Sequence, residues 1–381
     1  MTVYLDYASS TPLDPLVLEA MLPYLTEFHG NPSSVHRAGQ RTRRAVESAR
    51  DAVACALGAT SSEIIFTSGA TEAINQVLRG MMSLYPGGHL ITSNLEHAAV
   101  LATARHLEAL GHPVTYLSPN AVGEITPEMV SEALLPETAL VALMLVNNET
   151  GVRSDIAAIS ESVHEAGALL FCDAVQAFGF EAVTVDALGV DLLTVSGHKV
   201  YGPKGVGAIY VRSGLGLPPL MFGGSQERGR RPGTYNTAAI VGMGEAASLA
   251  GRRWTSDAEK TGELRDTFEA GLVSLPGVSV NGGAAPRGVK HSNLRFDGVD
   301  TQALLMALDT FGICASGGSA CAAGSVEASH VLTAMGLTER EANTSIRFSF
   351  GRQLERVDLE RAVSHIREAV KRCRSVGVGF R

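Results

Sequence analysis

Short apolar runs alternate with longer amphipathic segments over the first two thirds of the chain. Apolar residues recur at helical spacing in 70–84, 97–110, 127–135 and 154–166. The runs between them are apolar on both faces, which indicates a mostly parallel sheet covered by helices, because a half-exposed sheet alternates polar and apolar residues. The pattern predicts an α/β fold. The seven predicted strands are 63–67, 89–92, 113–117, 139–144, 168–172, 191–195 and 207–211.

The pattern changes after the last of these strands. Residues 213–233 are rich in Gly and Pro and predict a long loop or lid. A helix-like run over 236–250 leads into the charged stretch 251–265, where we expect a domain boundary. The rest of the chain predicts a smaller α+β lobe.

Composition and charge exclude several classes of protein. The 381 residues are 45% hydrophobic and 18% charged, which is typical of a globular enzyme and excludes a disordered chain. With 31 basic and 39 acidic residues the net charge is −8, which argues against a nucleic-acid partner. No apolar run is long enough to span a membrane and the first residues lack a signal peptide, so we expect a cytoplasmic protein without a membrane partner.

The five cysteines indicate a reducing compartment, since they form no C-x-x-C pair and their number is odd. Cys321 lies among Gly, Ser and Ala residues, so we expect an exposed thiol on a mobile loop that can act as a thiolate. Cys55 and Cys172 lie in apolar stretches and predict small buried hydrophobes. A Cys314–Cys321 disulfide stays open on spacing alone.

Two polar segments follow predicted strands directly, where open α/β sheets bind their ligands. The segment 67–72 (TSGATE) opens a helical stretch, so its free N–H groups and the Thr71 hydroxyl suit a phosphate; helix capping is the alternative. Asp173 follows the strand 168–172, either as a site carboxylate or as a cap of the next helix.

A third such segment, 196–199 (SGHK), contains a lysine in an unusual setting. Most lysines are solvated charges, but Lys199 lies among glycines that permit a tight turn, and Ser196 and His198 offer phosphate donors. An amine beside an anion-binding turn, at the sheet edge that also carries an acid, is what a Schiff-base cofactor needs.

Three further polar residues are candidates for the same edge. His97 follows a predicted strand and can stack on a flat ring or carry protons, with a helix start or core position as the alternative. Asn148 lies in the loop 146–151. Arg347 lies in a short strand-like segment, where a bidentate carboxylate is its natural partner; an internal salt bridge is equally open.

Nine motifs occur in order over nearly the whole chain, and together they resemble the cysteine desulfurases of aminotransferase class V. The motifs are 4–8 (YLDYA), 30–34 (GNPSS), 67–72 (TSGATE), 96–97 (EH), 146–151 (VNNETG), 173–176 (DAVQ), 196–199 (SGHK), 231–234 (RPGT) and 318–321 (GSAC).

The resemblance implies fold type I of the pyridoxal 5'-phosphate (PLP) dependent transferases. This is a homodimer whose large domain contains a mostly parallel seven-stranded sheet and binds the cofactor near the subunit boundary, with a smaller α+β C-terminal domain. We expect the large domain over 12–253. The small domain would comprise 1–11 plus 254–381 and carry the catalytic cysteine loop.

The resemblance also implies a role for each candidate residue. Lys199 would bind the cofactor aldehyde, Asp173 would pair with the ring nitrogen, and His97 would stack on the ring and carry protons. The remaining assignments are Gln176 at the ring hydroxyl; Ala70, Thr71, Ser196, His198 and, from the other subunit, Thr234 at the phosphate; Asn148 and Arg347 at the substrate; and Cys321 as the nucleophile.

The implied activity converts L-cysteine to L-alanine and places the sulfur on Cys321 as a persulfide, for the assembly of iron–sulfur clusters or other sulfur-containing cofactors. The implied partners are L-cysteine and a sulfur-acceptor protein, with an iron–sulfur scaffold as one candidate. We expect no metal site in the enzyme alone, whereas Cys321 with a partner chain could ligate an iron–sulfur cluster. Selenocysteine lysis, transamination and a non-catalytic sulfur carrier are the alternatives.

The chain departs from the family pattern in three places. Ala322 and Ala323 replace a frequent Thr-Ser pair, which affects loop hydrogen bonding and sulfur transfer. Ser9 and Ser10 replace a frequent Ala-Thr pair, and we expect that change to be neutral. The chain ends at Arg381 without the long tail of the housekeeping iron–sulfur branch, which leaves the sulfur acceptor open.

Overall fold

Three sheets and a long helix organise the protein in a computed structural model, which describes residues 2–317 and 328–377. The strands are β1 (Val3–Tyr4), β2 (Ile64–Thr67), β3 (His89–Ser93), β4 (Val114–Leu117), β5 (Thr138–Met144), β6 (Leu169–Asp173), β7 (Leu192–Ser196), β8 (Gly207–Val211), β9 (Val278–Val280), β10 (His291–Phe296), β11 (Ile313–Cys314) and β12 (Ser345–Ser349). The α-helices are α1 (Pro15–Thr26), α2 (Arg37–Leu57), α3 (Ala70–Leu84), α4 (Ala98–Ala109), α5 (Pro127–Ala133), α6 (Ile156–Glu165), α7 (Val185–Leu188), α8 (Thr237–Val273), α9 (Thr301–Thr310), α10 (His330–Ala334), α11 (Glu339–Ala342) and α12 (Arg356–Gly377).

The largest sheet has seven strands in the order β2-β8-β7-β6-β5-β3-β4. Strand β8 runs antiparallel to both of its neighbours, and the other pairs are parallel. Every residue of β5, β6 and β7 is buried, as expected for strands that helices cover on both faces. The prediction of a mostly parallel seven-stranded sheet is confirmed.

The helices that cover this sheet also follow the predicted pattern. Helix α3 has the predicted bounds, and α4, α5 and α6 lie within the predicted segments. Helix α6 begins two residues later than predicted because the Asp155 carboxylate accepts a hydrogen bond from the Ala158 N–H (3.2 Å) and caps the helix there.

Helix α8 joins two hydrophobic cores. The charged stretch 251–265, where we expect a boundary, lies inside this unbroken 37-residue helix. The few buried residues of the charged stretch recur at helical spacing, and this buried face continues through Leu264 and Phe268 into the C-terminal core. Ala246, near the start of the same helix, packs in the core of the large sheet. The chain thus passes from one core to the other without a break, and the division at 253/254 stays a prediction.

The second core belongs to a smaller α+β lobe. Strands β9, β10 and β12 form an antiparallel sheet, with β10 in the middle. Strand β1 pairs in parallel with β11 through Val3–Ile313 and Tyr4–Cys314. This pairing ties the N-terminus to the C-terminal lobe and leads residues 5–10 along the boundary with the large sheet.

The Gly- and Pro-rich segment 213–233 is a loop, as predicted, with one 3-10 turn at Gln226–Gly229. A buried ion pair ties it to the large core: both Glu227 carboxylate oxygens accept hydrogen bonds from the Arg50 guanidinium at 2.7 Å. The same carboxylate accepts the N–H of Phe66 in β2 (3.1 Å). The loop is therefore anchored at this turn.

In the part of the chain that the structure describes, no helix combines the length and apolar character that a membrane crossing requires.

Candidate functional site

A cavity of about 660 Å³ lies at the carboxyl ends of the parallel strands. Open α/β sheets bind ligands at this edge because the loops that follow the strands converge there. Ten of the predicted site residues line it, which are Ala70, Thr71, His97, Asn148, Asp173, Gln176, Ser196, His198, Lys199 and Arg347.

Lys199 ends a tight 3-10 turn, Gly197–Lys199, that follows β7 directly. Its Nζ donates hydrogen bonds to the carbonyl oxygens of Ala8 (2.5 Å) and Ser9 (2.8 Å). The turn itself is held by Thr11, whose N–H and hydroxyl both donate to the His198 carbonyl oxygen (2.8 and 3.0 Å). The N-terminal segment therefore positions the amine over the sheet edge.

Asp173 is the last residue of β6 and is buried. One carboxylate oxygen accepts the Val175 N–H (3.0 Å) within a turn, so the alternative of a helix cap is wrong. Burial raises the pKa of this carboxyl, and the hydrogen bond from the Val175 N–H and the nearby charge of Lys199 oppose that rise without cancelling it. The carboxyl forms no ion pair within residues 2–317 and 328–377, so a cationic ligand group would complete its environment.

His97 is both a helix cap and a site residue. Its Nδ1 accepts the Ala99 N–H at the start of α4 (3.1 Å), which places the ring proton on Nε2. Burial lowers the pKa of this imidazole, and the charge of Lys199 lowers it further, while Asp173 opposes both. The ring is therefore neutral near pH 7 and can donate a proton from Nε2.

The N-terminus of α3 forms the end of the cavity that suits a phosphate. Gly69 is the N-cap, and no side chain among the described residues caps this helix, so the capping alternative for 67–72 is wrong. The first N–H groups of any helix lack partners within it, and here Ala70 and Thr71 lie at that position. The Glu72 carboxylate is paired with Arg231 (2.7 Å) and does not oppose an anion there.

His198 also lines this cavity. Burial, together with the charges of Lys199 and Lys204, lowers the pKa of this imidazole to about 4. The ring is therefore neutral and offers one N–H donor.

Arg347 lies in the middle of β12 and is buried. Its Nη1 donates to the Asn148 carbonyl oxygen (2.9 Å), and its Nη2 forms an ion pair with Asp6 (3.0 Å), so the alternative of an internal salt bridge is confirmed. Within the described residues, Arg347 Nε and Asn148 Oδ1 are buried without hydrogen-bond partners. Both residues predicted to bind substrate thus retain an unsatisfied polar atom.

Gln176 is held by groups that its sequence neighbourhood does not reveal. Its Nε2 donates to the Ala8 carbonyl oxygen (3.0 Å), and its Oε1 faces Nε2 of the buried His291 (3.3 Å). A carbonyl oxygen can only accept, so the amide orientation is fixed and His291 must carry its proton on Nε2.

Several residues at the site were missed by sequence reasoning. Asp6, Ser9 and Thr11 belong to or follow a recognised N-terminal motif, and that position was the only available signal. His330 lines the cavity and pairs with the Glu96 carbonyl oxygen (3.0 Å). His291 had no signal in the sequence, because its contact with Gln176 joins two lobes.

Of the predicted site residues that the structure describes, Thr234 does not line the cavity. Thr234 lines a neighbouring cavity of about 160 Å³ beside Thr67 and Ser68 of its own subunit, and its action from a partner subunit stays a prediction. Cys321 lies outside the described residues, together with the disulfide alternative that involves it.

Of the two cysteines predicted to be buried, one is buried and the other is exposed. Cys172 is buried, as predicted, and burial raises the pKa of its thiol. The prediction for Cys55 is wrong, because this residue lies on the exposed face of α2. Among the described residues, no three His, Cys, Asp or Glu side chains cluster in a way that could hold a metal ion.

The sequence and fold are similar to those of known proteins. The profile of the aminotransferase class V family matches residues 3–362. The chain is 44% identical over 376 residues to a cysteine desulfurase of Trichormus azollae, which covers 98% of this chain and 94% of that protein. It is 43% identical over 377 residues to cysteine desulfurase IscS of Dictyoglomus turgidum, which covers 98% of this chain and 96% of that protein.

Solved structures of related proteins are similar in fold over nearly the whole chain. A NifS-like protein has a TM-score of 0.92 at 33% identity, covering 97% of this chain and 100% of that chain. The structure of SspA in complex with cysteine has a TM-score of 0.81 at 39% identity, covering 92% of this chain and 99% of that chain. The predicted fold class, a mostly parallel α/β domain with a smaller C-terminal domain, is confirmed by these similarities.

Proposed function

Since this chain belongs to the class V aminotransferase family, among its cysteine desulfurases, we propose that it converts L-cysteine to L-alanine with bound pyridoxal phosphate and Cys321. The observation that carries this proposal is the shared cavity, in which Lys199, Asp173 and the N-terminus of α3 lie at one edge of the sheet. Fold alone does not identify a reaction, so the assignment depends on the residues at this edge.

The residues of the cavity fit the cofactor that the family uses. Lys199 would bind its aldehyde, and Asp173, buried and without an ion pair in the described part of the chain, would pair with its ring nitrogen. Gln176 would donate to its ring hydroxyl, and the neutral His97 would stack on its ring. The phosphate would be held by Ala70, Thr71, Ser196 and His198, with Thr234 from a partner subunit.

When bound, pyridoxal phosphate supplies a ring that accepts the electron pair left behind by the α-proton of an amino acid. The protein supplies the proton carriers. Lys199 Nζ is oriented by the carbonyl oxygens of Ala8 and Ser9, and His97 donates from Nε2 because Nδ1 is occupied by the cap of α4. We infer that Lys199 takes the substrate proton and His97 returns one.

The substrate would be held by its α-carboxylate. Arg347 has a buried Nε–H to satisfy, and Asn148 Oδ1 is a buried acceptor beside it. An unsatisfied buried polar group costs about 1–3 kcal/mol, so a ligand that pairs with it gains that amount in affinity. The α-carboxylate of an amino acid supplies the acceptor that Arg347 Nε lacks, and Asn148 lies beside it.

The sulfur step uses the thiolate of Cys321. Its sulfur forms a bond with the substrate sulfur while the substrate Cβ–S bond breaks, and the substrate's thiol proton ends on the methyl carbon of alanine. Thiolate and L-cysteine thus give a persulfide anion and L-alanine, with atoms and charge balanced. A sulfur-acceptor protein, with an iron–sulfur scaffold as one candidate, would then receive the sulfur. A cytoplasmic homodimer remains our prediction.

The decisive experiment compares wild type, Cys321→Ala and Lys199→Ala with L-cysteine and a thiol reductant. We expect alanine release and a Cys321 mass increase of one sulfur atom in the wild type only, because each variant lacks one of the two reactive groups. Cys55→Ala is the matched control: it removes an exposed thiol outside the site and should retain activity.

Equal alanine release by wild type and Cys321→Ala would contradict the proposal. Turnover that depends on an added keto acid would indicate transamination instead. If the wild type shows no cofactor absorbance that depends on Lys199, a non-catalytic sulfur carrier is favoured instead.

A further inference from the structure

The turn formed by residues 6–9 contacts Arg347 through two side chains. Arg347 Nη2 donates to the Ser9 hydroxyl oxygen (2.7 Å) and to Asp6 Oδ1 (3.0 Å). The Ser9 hydroxyl in turn donates to the same Asp6 oxygen (2.9 Å). The three groups form a closed triangle of hydrogen bonds at the wall of the cavity, which Ser9 and Arg347 both line.

The triangle holds one terminal nitrogen of the guanidinium, and a backbone carbonyl oxygen holds the other. Nη1 donates to the Asn148 carbonyl oxygen (2.9 Å), and Nη2 is occupied by Asp6 and Ser9. Nε has no hydrogen-bond partner within residues 2–317 and 328–377. Because a guanidinium is planar and rigid, holding its two terminal nitrogens also sets the direction of the remaining N–H groups.

Within the function proposed above, we propose that Ser9 is a positioning residue for the α-carboxylate of the amino-acid substrate. Its hydroxyl accepts from Arg347 and donates to Asp6, so it joins the cation and its counter-ion in one orientation before substrate arrives. Preorganised donors bind more tightly because less ordering remains to be done at the moment of binding. This proposal differs from the expectation that Ser9 is a neutral replacement.

The turn itself does not depend on the Ser9 hydroxyl. Its backbone is closed by the N–H groups of Ser9 (3.0 Å) and Ser10 (3.4 Å), which donate to the Asp6 carbonyl oxygen. The Ala8 N–H donates to Ser349 Oγ (2.8 Å), and Tyr4 OH donates to the Ser10 carbonyl oxygen (2.9 Å). Removal of one hydroxyl should therefore leave the turn in place and remove only one of the contacts that orient the guanidinium.

The test compares wild type with Ser9→Ala and Ser9→Thr in the cofactor-loaded enzyme. We expect Ser9→Ala to raise KM for L-cysteine about 5- to 10-fold with kcat within about twofold, since it weakens binding that ground state and transition state share. Ser9→Thr retains the hydroxyl and should restore KM to within about twofold of wild type. Ser160→Ala is the matched control: it removes a buried hydroxyl that donates to the Ala157 carbonyl oxygen (2.7 Å) in α6, and should leave KM unchanged.

A second readout does not require desulfurase activity. L-Alanine has the same α-carboxylate but no sulfur, and its Kd is measured from the absorbance change of the bound cofactor. Ser9→Ala should weaken this Kd by the same factor as KM, with an unchanged thermal unfolding midpoint. Asp6→Asn and the double variant complete a cycle, in which effects that do not add show that both side chains act on Arg347.

The two proposals fail in different ways. If wild type releases no alanine from L-cysteine, the proposed function is wrong, while the L-alanine titration still reports on Ser9. Unchanged KM and Kd in Ser9→Ala would overturn the role of Ser9. A loss confined to the unfolding midpoint, or a loss that Ser9→Thr does not restore, would also overturn it.

Discussion

At the scale of single residues, buried polar atoms without hydrogen-bond partners lower the stability of the free protein and are available to a ligand. Glu96 Oε2, Asn148 Oδ1 and Arg347 Nε are buried without hydrogen-bond partners among the described residues. Each such group costs about 1–3 kcal/mol, and such costs are concentrated where a ligand later pairs with the group. Glu96 differs from the other two because it can escape the cost of a buried charge by holding a proton. Burial raises the pKa of its carboxyl to about 8, and Asp173 adds to that rise.

Glu96→Gln should therefore change stability in a pH-dependent way. The folded pKa is about 8 and the unfolded value is 4.5, so between these values the folded wild type holds a proton that the unfolded chain has lost. The stability that Glu96 contributes is complete below pH 4.5 and is lost as the pH rises through the folded pKa. Glutamine is neutral throughout, so the variant should gain up to about 1.4 kcal/mol over wild type per pH unit in that window.

Urea unfolding of both proteins at several pH values in this window measures the difference. Glu128→Gln is the control, because hydrogen bonding to Thr126 lowers the pKa of that exposed carboxyl and it stays ionised in both states across the window. A difference between Glu96→Gln and wild type that stays constant with pH would contradict a proton on Glu96.

At the scale of elements, close packing of α2 against α8 joins the N-terminal helices to the core of the large sheet. A methyl group added at Gly244 of α8 would lie 2.6 Å from both Cα and Cβ of Ala49 in α2. One at Gly251 would meet, among the atoms that the structure describes, only the Ala56 Cβ at 4.0 Å. Two glycines of one helix thus face different constraints. The first allows the helices to approach, and the second only reduces helix propensity.

Alanine substitutions at these two positions should have opposite effects on the free energy of unfolding. Gly244→Ala should destabilise the protein by about 1–3 kcal/mol, because the backbone of α2 must move away. Gly251→Ala should stabilise it by about 0.5–1 kcal/mol, because alanine loses less backbone entropy in a helix. Each variant is the control of the other in the same urea titration. Equal effects at both positions would show that α2 does not pack on α8 at this distance.

At the scale of the whole molecule, the site lies where two lobes meet. Asp173 ends a strand of the large sheet, and Lys199 and α3 follow two others, β7 and β2. Arg347 instead comes from the antiparallel sheet of the smaller lobe. The N-terminal turn at residues 6–9 connects them, since it holds Lys199 through backbone carbonyls and Arg347 through side chains. Thr234, by contrast, lines a neighbouring cavity, and its action in a partner subunit stays a prediction.

Mixed dimers test that assignment. Thr234→Ala should weaken cofactor binding about tenfold through loss of a phosphate hydrogen bond, and Lys199→Ala should abolish covalent attachment. If Thr234 serves the partner's site, a mixed dimer of the two variants contains one site with both native residues. Mixing should therefore restore wild-type cofactor affinity and turnover in that site.

Mixtures of each variant with itself, refolded in the same way, are the controls. No recovery in the mixed sample would place Thr234 in the site of its own subunit. A monomeric wild type in sedimentation would contradict the predicted homodimer directly.

The sequence by itself determined the elements of the large domain and most of its site. Hydrophobic periodicity is a local property, so seven strands and the helices between them could be predicted from neighbouring residues. The site residues Asp173, Ser196 and His97 could be predicted for the same reason. Asp173 and Ser196 lie at strand ends, His97 follows β3 after a short turn, and the ends of parallel strands meet at one edge. The motifs of the resemblance then supplied the residues that do not follow a strand.

Only the tertiary structure decided which distant groups complete these residues. Ser9 and Arg347 are separated by 338 positions, and Gln176 and His291 by 115, yet each pair is joined by a hydrogen bond. The unbroken course of α8 was decided in the same way. Its charged middle turns are compatible with either a domain boundary or a helix, and only the packing of Leu264 and Phe268 in the C-terminal core distinguishes the two. The physical reason is that periodicity records which side of an element is buried, whereas the partner on the other side of that contact depends on how two lobes pack.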